Sequence, residues 1–197
     1  MPGRPRSISD ERLMAALAVA IGRVGPARLT LADVAAEAGV STGMLVRRHG
    51  TKRGLLLAFL RHGREHGMPA RRMREVFEAA ADPVEGLIGA VIDGAGAGLP
   101  PAEFANHLAF LNLELADDEF RGLLAEFDDA VRAELASFIA EAVAGGFLVV
   151  ADVDALAAAV NSLRNGTQIT WATTRRTTLA AAMRRDLTTL LAPYRTA

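Results

Sequence analysis

Cysteine is absent from this 197-residue chain, which removes disulfides, thiolate metal sites and cysteine nucleophiles together. Aromatic residues are scarce at 5%, while 51% of the sequence is hydrophobic and alanine is abundant. Small apolar side chains at that density favour closely packed helices over sheets. No uninterrupted apolar run reaches the ~18 residues of a membrane span, and the opening MPGRPRS has no apolar core of a signal peptide. The expectation is a soluble, cytoplasmic, all-α protein that meets no membrane. Lysine is nearly missing as well: Lys52 is the only one, every other cation being arginine.

Charge is unevenly spread. Residues 1–76 hold 14 Lys and Arg against 6 Asp and Glu, a net +8, and residues 77–197 hold 8 against 17, a net −9. A basic first part with an acidic remainder places any polyanion at the first part. The length admits a small domain followed by a medium one.

Residues 29–52, LTLADVAAEAGVSTGMLVRRHGTK, organise the first part. Thr30 precedes an apolar-periodic run with Asp33 three residues on, the spacing of a capping box. Leu31, Val34, Ala35 and Ala38 then share one helical face. Gly39 suits a left-handed helix end, Val40 anchors the turn, and Ser41 caps a second helix. There Leu45 points with Val40, while Thr42, Gly43, Val46 and Arg47 take the opposite face. Two short helices across a glycine-containing turn form a helix-turn-helix, whose second helix enters the DNA major groove.

The pattern Ala38-Gly39-Val40-Ser41, Gly43, Leu45, Lys52 and Leu55-Leu56, with Thr30 before it, resembles the TetR family of transcriptional regulators over residues 9 to about 66. The resemblance implies a three-helix DNA-binding head (residues 9–66, motif about 30–49) joined by a connector helix to a larger helical ligand-binding and dimerisation body (67–197). It implies DNA contacts from Thr30, Ser41, Thr42, Gly43, Met44, Val46, Arg47, Arg48 and Lys52. Two departures stand out. Family members usually carry Tyr at the position of Val46, where its hydroxyl bonds a phosphate, and His-Phe or Tyr-Phe at Arg48-His49. Residues 1–8 form a flexible basic arm, and Arg4 and Arg6 in its Gly-Arg-Pro segment suit a narrow minor groove.

Elsewhere the chain reads as helix after helix. Ser7 or Ser9 caps a helix to about Val24, with Leu13, Leu17, Ala20, Ile21 and Val24 on one face, and Gly25-Pro26 breaks it. Thr51 caps a helix with Lys52 in its first turn, where free amides and charge attract phosphate. His62, Glu65 and His66 match an H-x-x-E-H zinc pattern, but no third ligand is evident, and the reading is a solvated face with no metal site. Asp82-Pro83 restarts a helix. Gly94 to Gly98 lacks the strand and spacing of a dinucleotide loop and reads as a helix end. Pro100-Pro101 starts a helix with Phe104, Leu108, Leu111 and Leu115 on one side. A long helix opens at Asp117-Asp118-Glu119 and ends at Gly145-Gly146, and Phe147 to Val150 is a short extended connector. Asp152 or Asp154 caps the next helix, and the last one stops at Pro193.

The body offers two sets of candidates. Phe104, His107, Leu108, Leu111, Phe127 and Trp171, with a polar stripe of Asn161, Asn165 and Gln168, are candidates to line an effector pocket. Leu156, Val160, Leu163, Thr167 and Thr170, with Leu179, Met183, Leu187 and Leu190, form a stripe suited to a two-fold helical interface. The function expected is a homodimeric regulator of double-stranded DNA with a palindromic operator, a repressor released by a small-molecule effector and needing no cofactor. Two alternatives stand against it: an effector-independent nucleoid-type protein, and a helical enzyme with a DNA-binding head. No Ser/His/Asp arrangement or phosphate loop supports the enzyme.

Overall fold

Small polar residues set the helix starts. In each case below a side-chain oxygen accepts a hydrogen bond from a free backbone N–H of the first turn, which typically contributes about 1 kcal/mol. Ser9 caps α1 (Asp10–Val24), Thr30 caps α2 (Leu31–Ala38), Ser41 caps α3 (Thr42–His49) and Thr51 caps α4 (Lys52–Glu65). After α5 (Ala70–Glu78), Asp82 caps α6 (Pro83–Gly94) with proline at its first turn. Helix α7 (Pro101–Ala116) and the long α8 (Asp118–Ala144) follow. Asp152 caps α9 (Val153–Thr174) and Thr178 caps α10 (Leu179–Leu191), which ends in a 3-10 turn at Ala192–Tyr194. The computed structural model describes residues 8–67 and 70–196, and among these the fold is all-α. Phe147 to Val150 finds only a single bridge, Leu148 against Arg195.

The chain divides into two compact units. The first takes residues up to 66 together with 100–124, so α7 and the start of α8 pack with the head helices. Its core gathers Leu13, Leu17, Ile21, Leu29, Val34, Leu45, Leu55 and Leu56 with Phe110 and Phe120. The amide of Asn106 on α7 donates to the Gly22 carbonyl on α1 at 2.7 Å. Arg53 makes two 2.8 Å bonds to Asp117 and one of 3.0 Å to Glu119, tying α4 to the α8 start. The bonds from Arg53 hold the Asp117 carboxyl well below the usual carboxylate range, lowered to about 2.

The second unit takes residues 67–99 and 125–197. The Arg74 guanidinium bonds Glu134 at 2.7 Å and Ser137 at 2.9 Å and lies over the Phe138 ring, which stacks on Phe77 at 4.2 Å. Along α9 and α10 burial divides the expected partner-facing stripe. Leu156, Val160, Thr167, Leu179, Met183 and Leu187 are buried within one chain. Leu163 and Leu190 are half-buried, and only Thr170 of that set is exposed. Two stripes of similar period run side by side on α9, and the bulkier one fills the chain's own core. Leu115 is likewise exposed rather than inward, whereas Phe110 on the same helix is buried.

Candidate DNA-binding site

The turn between α2 and α3 is built as its residues demand. Thr30 Oγ1 accepts from the Asp33 N–H at 3.2 Å while the Asp33 carboxylate accepts from the Thr30 N–H at 2.8 Å, a complete capping box. These bonds hold the Asp33 carboxyl below its usual range. Gly39 ends α2 at φ +68°, a left-handed conformation that side chains disfavour. Ser41 accepts from the Met44 N–H at 3.2 Å and starts α3.

Burial then sorts α3 into two faces. Leu45 is fully enclosed and Met44 packs half-buried against the same core. Thr42, Gly43, Val46 and Arg47 face outward, with Val46 46% exposed. A helix with its side chains is about 10–12 Å across, which matches the ~12 Å width of a B-DNA major groove. Arg47 is exposed at the outer face, one residue past Val46.

The remaining cations behave differently from one another. Arg48 turns away from the outer face: its guanidinium pairs with Asp10 and donates to the Ile8 carbonyl at 3.4 Å. Without DNA, Arg48 thus forms a strut between α3 and the start of α1. Lys52 is half-buried, and its Nζ donates to the Pro26 and Ala27 carbonyls at 3.2 and 3.5 Å. Thr51 satisfies only the Gly54 N–H, so the remaining first-turn amides of α4 are open to an anion. Arg4 and Arg6 lie outside the described residues.

His49 is half-buried in the place where a phenylalanine is usual, and its Nε2 is enclosed without a hydrogen-bond partner. Burial first, and the neighbouring Arg48 charge second, lower its pKa. Gly54 carries a requirement that no sequence periodicity signals. A Cβ there would stand 2.2 Å from the His49 carbonyl oxygen, so the end of the recognition helix rests directly on α4.

The candidate effector residues are divided between the two units. Phe104 is buried and His107, Leu108 and Leu111 are half-buried on α7 of the first unit. Burial lowers the His107 pKa against the opposing pull of Glu103. Phe127, Asn161, Asn165, Gln168 and Trp171 belong to the second unit. Gln168 donates to the Ala95 carbonyl at 2.9 Å, and the Trp171 indole donates to the Thr177 carbonyl at 2.7 Å. Asn161 is buried and Asn165 is exposed, so the polar stripe is split between interior and surface. Arg164, three residues beyond Asn161, is a polar group in this region that periodicity alone does not single out. The His62 and His66 rings lie 4.0 Å apart at the end of α4, and no group of three or more His, Asp or Glu suited to a metal occurs among the described residues.

Two family patterns match the chain in successive stretches. Residues 13–59 match the family described as bacterial regulatory proteins, tetR family, and residues 95–194 match the C-terminal region of BetI-type transcriptional repressors. No curated protein sequence matches the chain. Among solved structures, a TetR transcription regulator from Haloarcula marismortui superposes with a TM-score of 0.75 at 21% identity, covering 94% of this chain and 97% of that one. A regulator from Saccharomonospora viridis, in complex with choline, gives 0.74 at 21% identity over 95% and 97% of the two chains. The regulator FadR from Bacillus subtilis, in complex with stearoyl-CoA, gives 0.69 at 21% identity over 93% and 98%. With over half its length matched by the BetI-type region and its helix-turn-helix matched by the regulatory head, the chain belongs to the TetR family of transcriptional regulators.

Proposed function

We propose that this protein is a homodimeric repressor that binds a two-fold operator through α3 and is released by a small molecule held in its helical body. The observation that carries the reading is the sorting of α3: Leu45 locked in the core, with Thr42, Gly43, Val46 and Arg47 presented outward. The match to BetI-type repressors supports the repressor role, and relatives in complex with choline and stearoyl-CoA support an effector. Residues 9–66 read DNA, with residues 1–8 as an accessory arm, and residues 67–197 supply effector binding and dimerisation. Helix α7 packs on α1 through Asn106 and Gly22, so a displacement of α7 would be felt by the head. An effector that favours one head spacing over another would shift DNA affinity by its differential affinity for the two states.

The dimer face is assigned to the exposed side of α9. Ala155, Ala159, Ser162, Gly166 and Ile169 are all exposed and recur at spacings of four, three, four and three. That is the period of a helix–helix seam, and its small side chains allow close approach.

The test is selection of bound duplexes from a random pool, followed by anisotropy on the selected and a scrambled duplex. A palindromic selected site, bound roughly 10³-fold or more tightly than the scramble at physiological salt, is expected of a regulator. Equal binding to both would replace this reading with a nucleoid-type protein. Native mass spectrometry of the purified protein is expected to find a small molecule whose addition releases the selected duplex.

A further inference from the structure

The acidic body changes sign near its end. Residues 77–154 hold 2 Arg against 16 Asp and Glu, a net −14, whereas residues 155–197 hold 6 Arg against one acid, Asp186, a net +5. Arg184 and Arg195 are paired outside this stretch, reaching Glu85 on α6 at 2.6 and 3.7 Å. Arg175 and Arg176, in the turn from α9 to α10, are exposed and have no carboxylate partner among the described residues. That turn is fastened to Trp171 from two sides. Arg175 sits at φ +46°, a left-handed conformation that a side chain keeps only where its surroundings impose it. Its N–H donates to the Trp171 carbonyl at 2.8 Å, and the Trp171 indole donates to the Thr177 carbonyl at 2.7 Å. Arg176, between these anchors, is set beside the buried indole.

A cavity of about 170 Å³ opens there, between the end of α9 and α10, with Thr170, Trp171, Thr174, Arg176, Ala182 and Arg185 in its wall. Its one carboxylate, Asp186, is already held. Oδ2 accepts from the buried Thr167 hydroxyl at 2.8 Å, and Oδ1 accepts from the Arg185 Nε at 2.8 Å. The wall therefore carries two guanidiniums against one satisfied acid, and one positive charge is left over. An apolar cavity of ~150 Å³ accommodates benzene, so this one has room for a single ring with a carboxylate. The indole and Ala182 suit the flat apolar part, and a guanidinium fork suits the carboxylate.

We infer that the α9–α10 turn is a binding site for a small organic anion, a carboxylate carried on one flat ring, with Arg176 and Arg185 on the carboxylate and Trp171 against the ring. Binding there is a property of the body alone and holds whether or not the bound anion releases DNA. Arg176 supplies the charge that no acid of the turn answers. Arg185 keeps Asp186 through Nε and Nη2 and offers its Nη1. A charge-assisted bond to a guanidinium is roughly twice as strong as a neutral one, so the acid is favoured over its amide.

Trp171 is the only tryptophan in the chain, so its emission reports on this cavity directly. The test titrates the full-length protein, and its Arg176→Gln and Arg176→Lys variants, with benzoate, benzamide and inorganic phosphate while that emission is followed. Benzoate should shift the wild-type emission saturably and bind at least ~10-fold more tightly than benzamide. Phosphate, which has no ring to set against the indole, should bind more weakly than benzoate. Arg176→Gln should lose the preference for acid over amide at an unchanged melting midpoint, because Arg176 is exposed and pairs with no carboxylate. Arg176→Lys should keep part of that preference. No saturable shift, equal affinity for benzoate and benzamide, or a preference unaltered in Arg176→Gln overturns the inference. Phosphate bound as tightly as benzoate overturns it too, because the ring then contributes nothing.

Discussion

At the scale of single residues, the proposal gives base reading to Arg47 on α3 and phosphate positioning to Lys52 on α4. Arg47→Ala should weaken operator binding and relax preference at one base position. Lys52→Ala should weaken binding to all duplexes alike and lower the salt slope by about one, as loss of one phosphate contact does. An unchanged salt slope would leave Lys52 with only its bonds to Pro26 and Ala27. Val46 is 46% exposed on α3, and a tyrosine there is proposed to reach a phosphate oxygen. Val46→Tyr should raise affinity ~10-fold on operator and scrambled duplex alike, since phosphate contacts carry no sequence information. Selective loss on the operator would show instead that Val46 touches a thymine methyl.

His49 and His107 bring pH dependence to the same unit. Both folded pKa values lie below the ordinary value of 6.5. Below 6.5 the unfolded chain therefore binds protons that the folded unit resists, and stability falls as the pH drops from 6.5 toward the folded values. Above 6.5 both imidazoles are neutral in either state and contribute no slope. Urea melts between pH 7.5 and 5 should show this decline, and His49→Phe should lessen it while raising the midpoint at pH 7. A flat profile across that range would remove both residues from the account.

At the scale of elements, the α3–α4 junction is a close approach of two backbones. Gly54→Ala puts a methyl carbon 2.2 Å from the His49 carbonyl oxygen, and no flexible side chain is there to give way. The end of α3 must shift, so DNA affinity should fall by more than an Arg47→Ala change while far-UV circular dichroism stays helical. Wild-type affinity in the Gly54→Ala variant would mean that the approach is relaxed at no cost to the recognition helix. The Arg48–Asp10 pair and the Arg48 bond to Ile8 brace the same helix from its other side.

At the scale of the whole molecule, dimerisation is assigned to the exposed stripe of α9. Ile169 is 55% exposed within the chain, whereas Leu187 is fully buried. Ile169→Glu should give a monomer in sedimentation at micromolar concentration with a melting midpoint near that of wild type. Leu187→Glu should unfold the body, because it places a carboxylate where no partner or water reaches. A monomeric wild type would refute the interface. A dimer that survives Ile169→Glu would move it elsewhere.

Sequence by itself determined the helix starts, the helix-turn-helix and the division of α3 into a core face and an outer face. Those features rest on short-range physics. A hydroxyl caps an amide three residues away, and Leu45 and Val46 part because helical periodicity turns them apart. Tertiary structure decided what depends on distant partners. Arg48 is claimed by Asp10, 38 residues away, and Gly54 is required by a carbonyl on another helix. The two stripes of α9 look alike in sequence because both have helical period. Only packing against the chain's own helices shows that Leu156, Val160 and Thr167 are spent on the core, leaving Ala159, Gly166 and Ile169 at the surface.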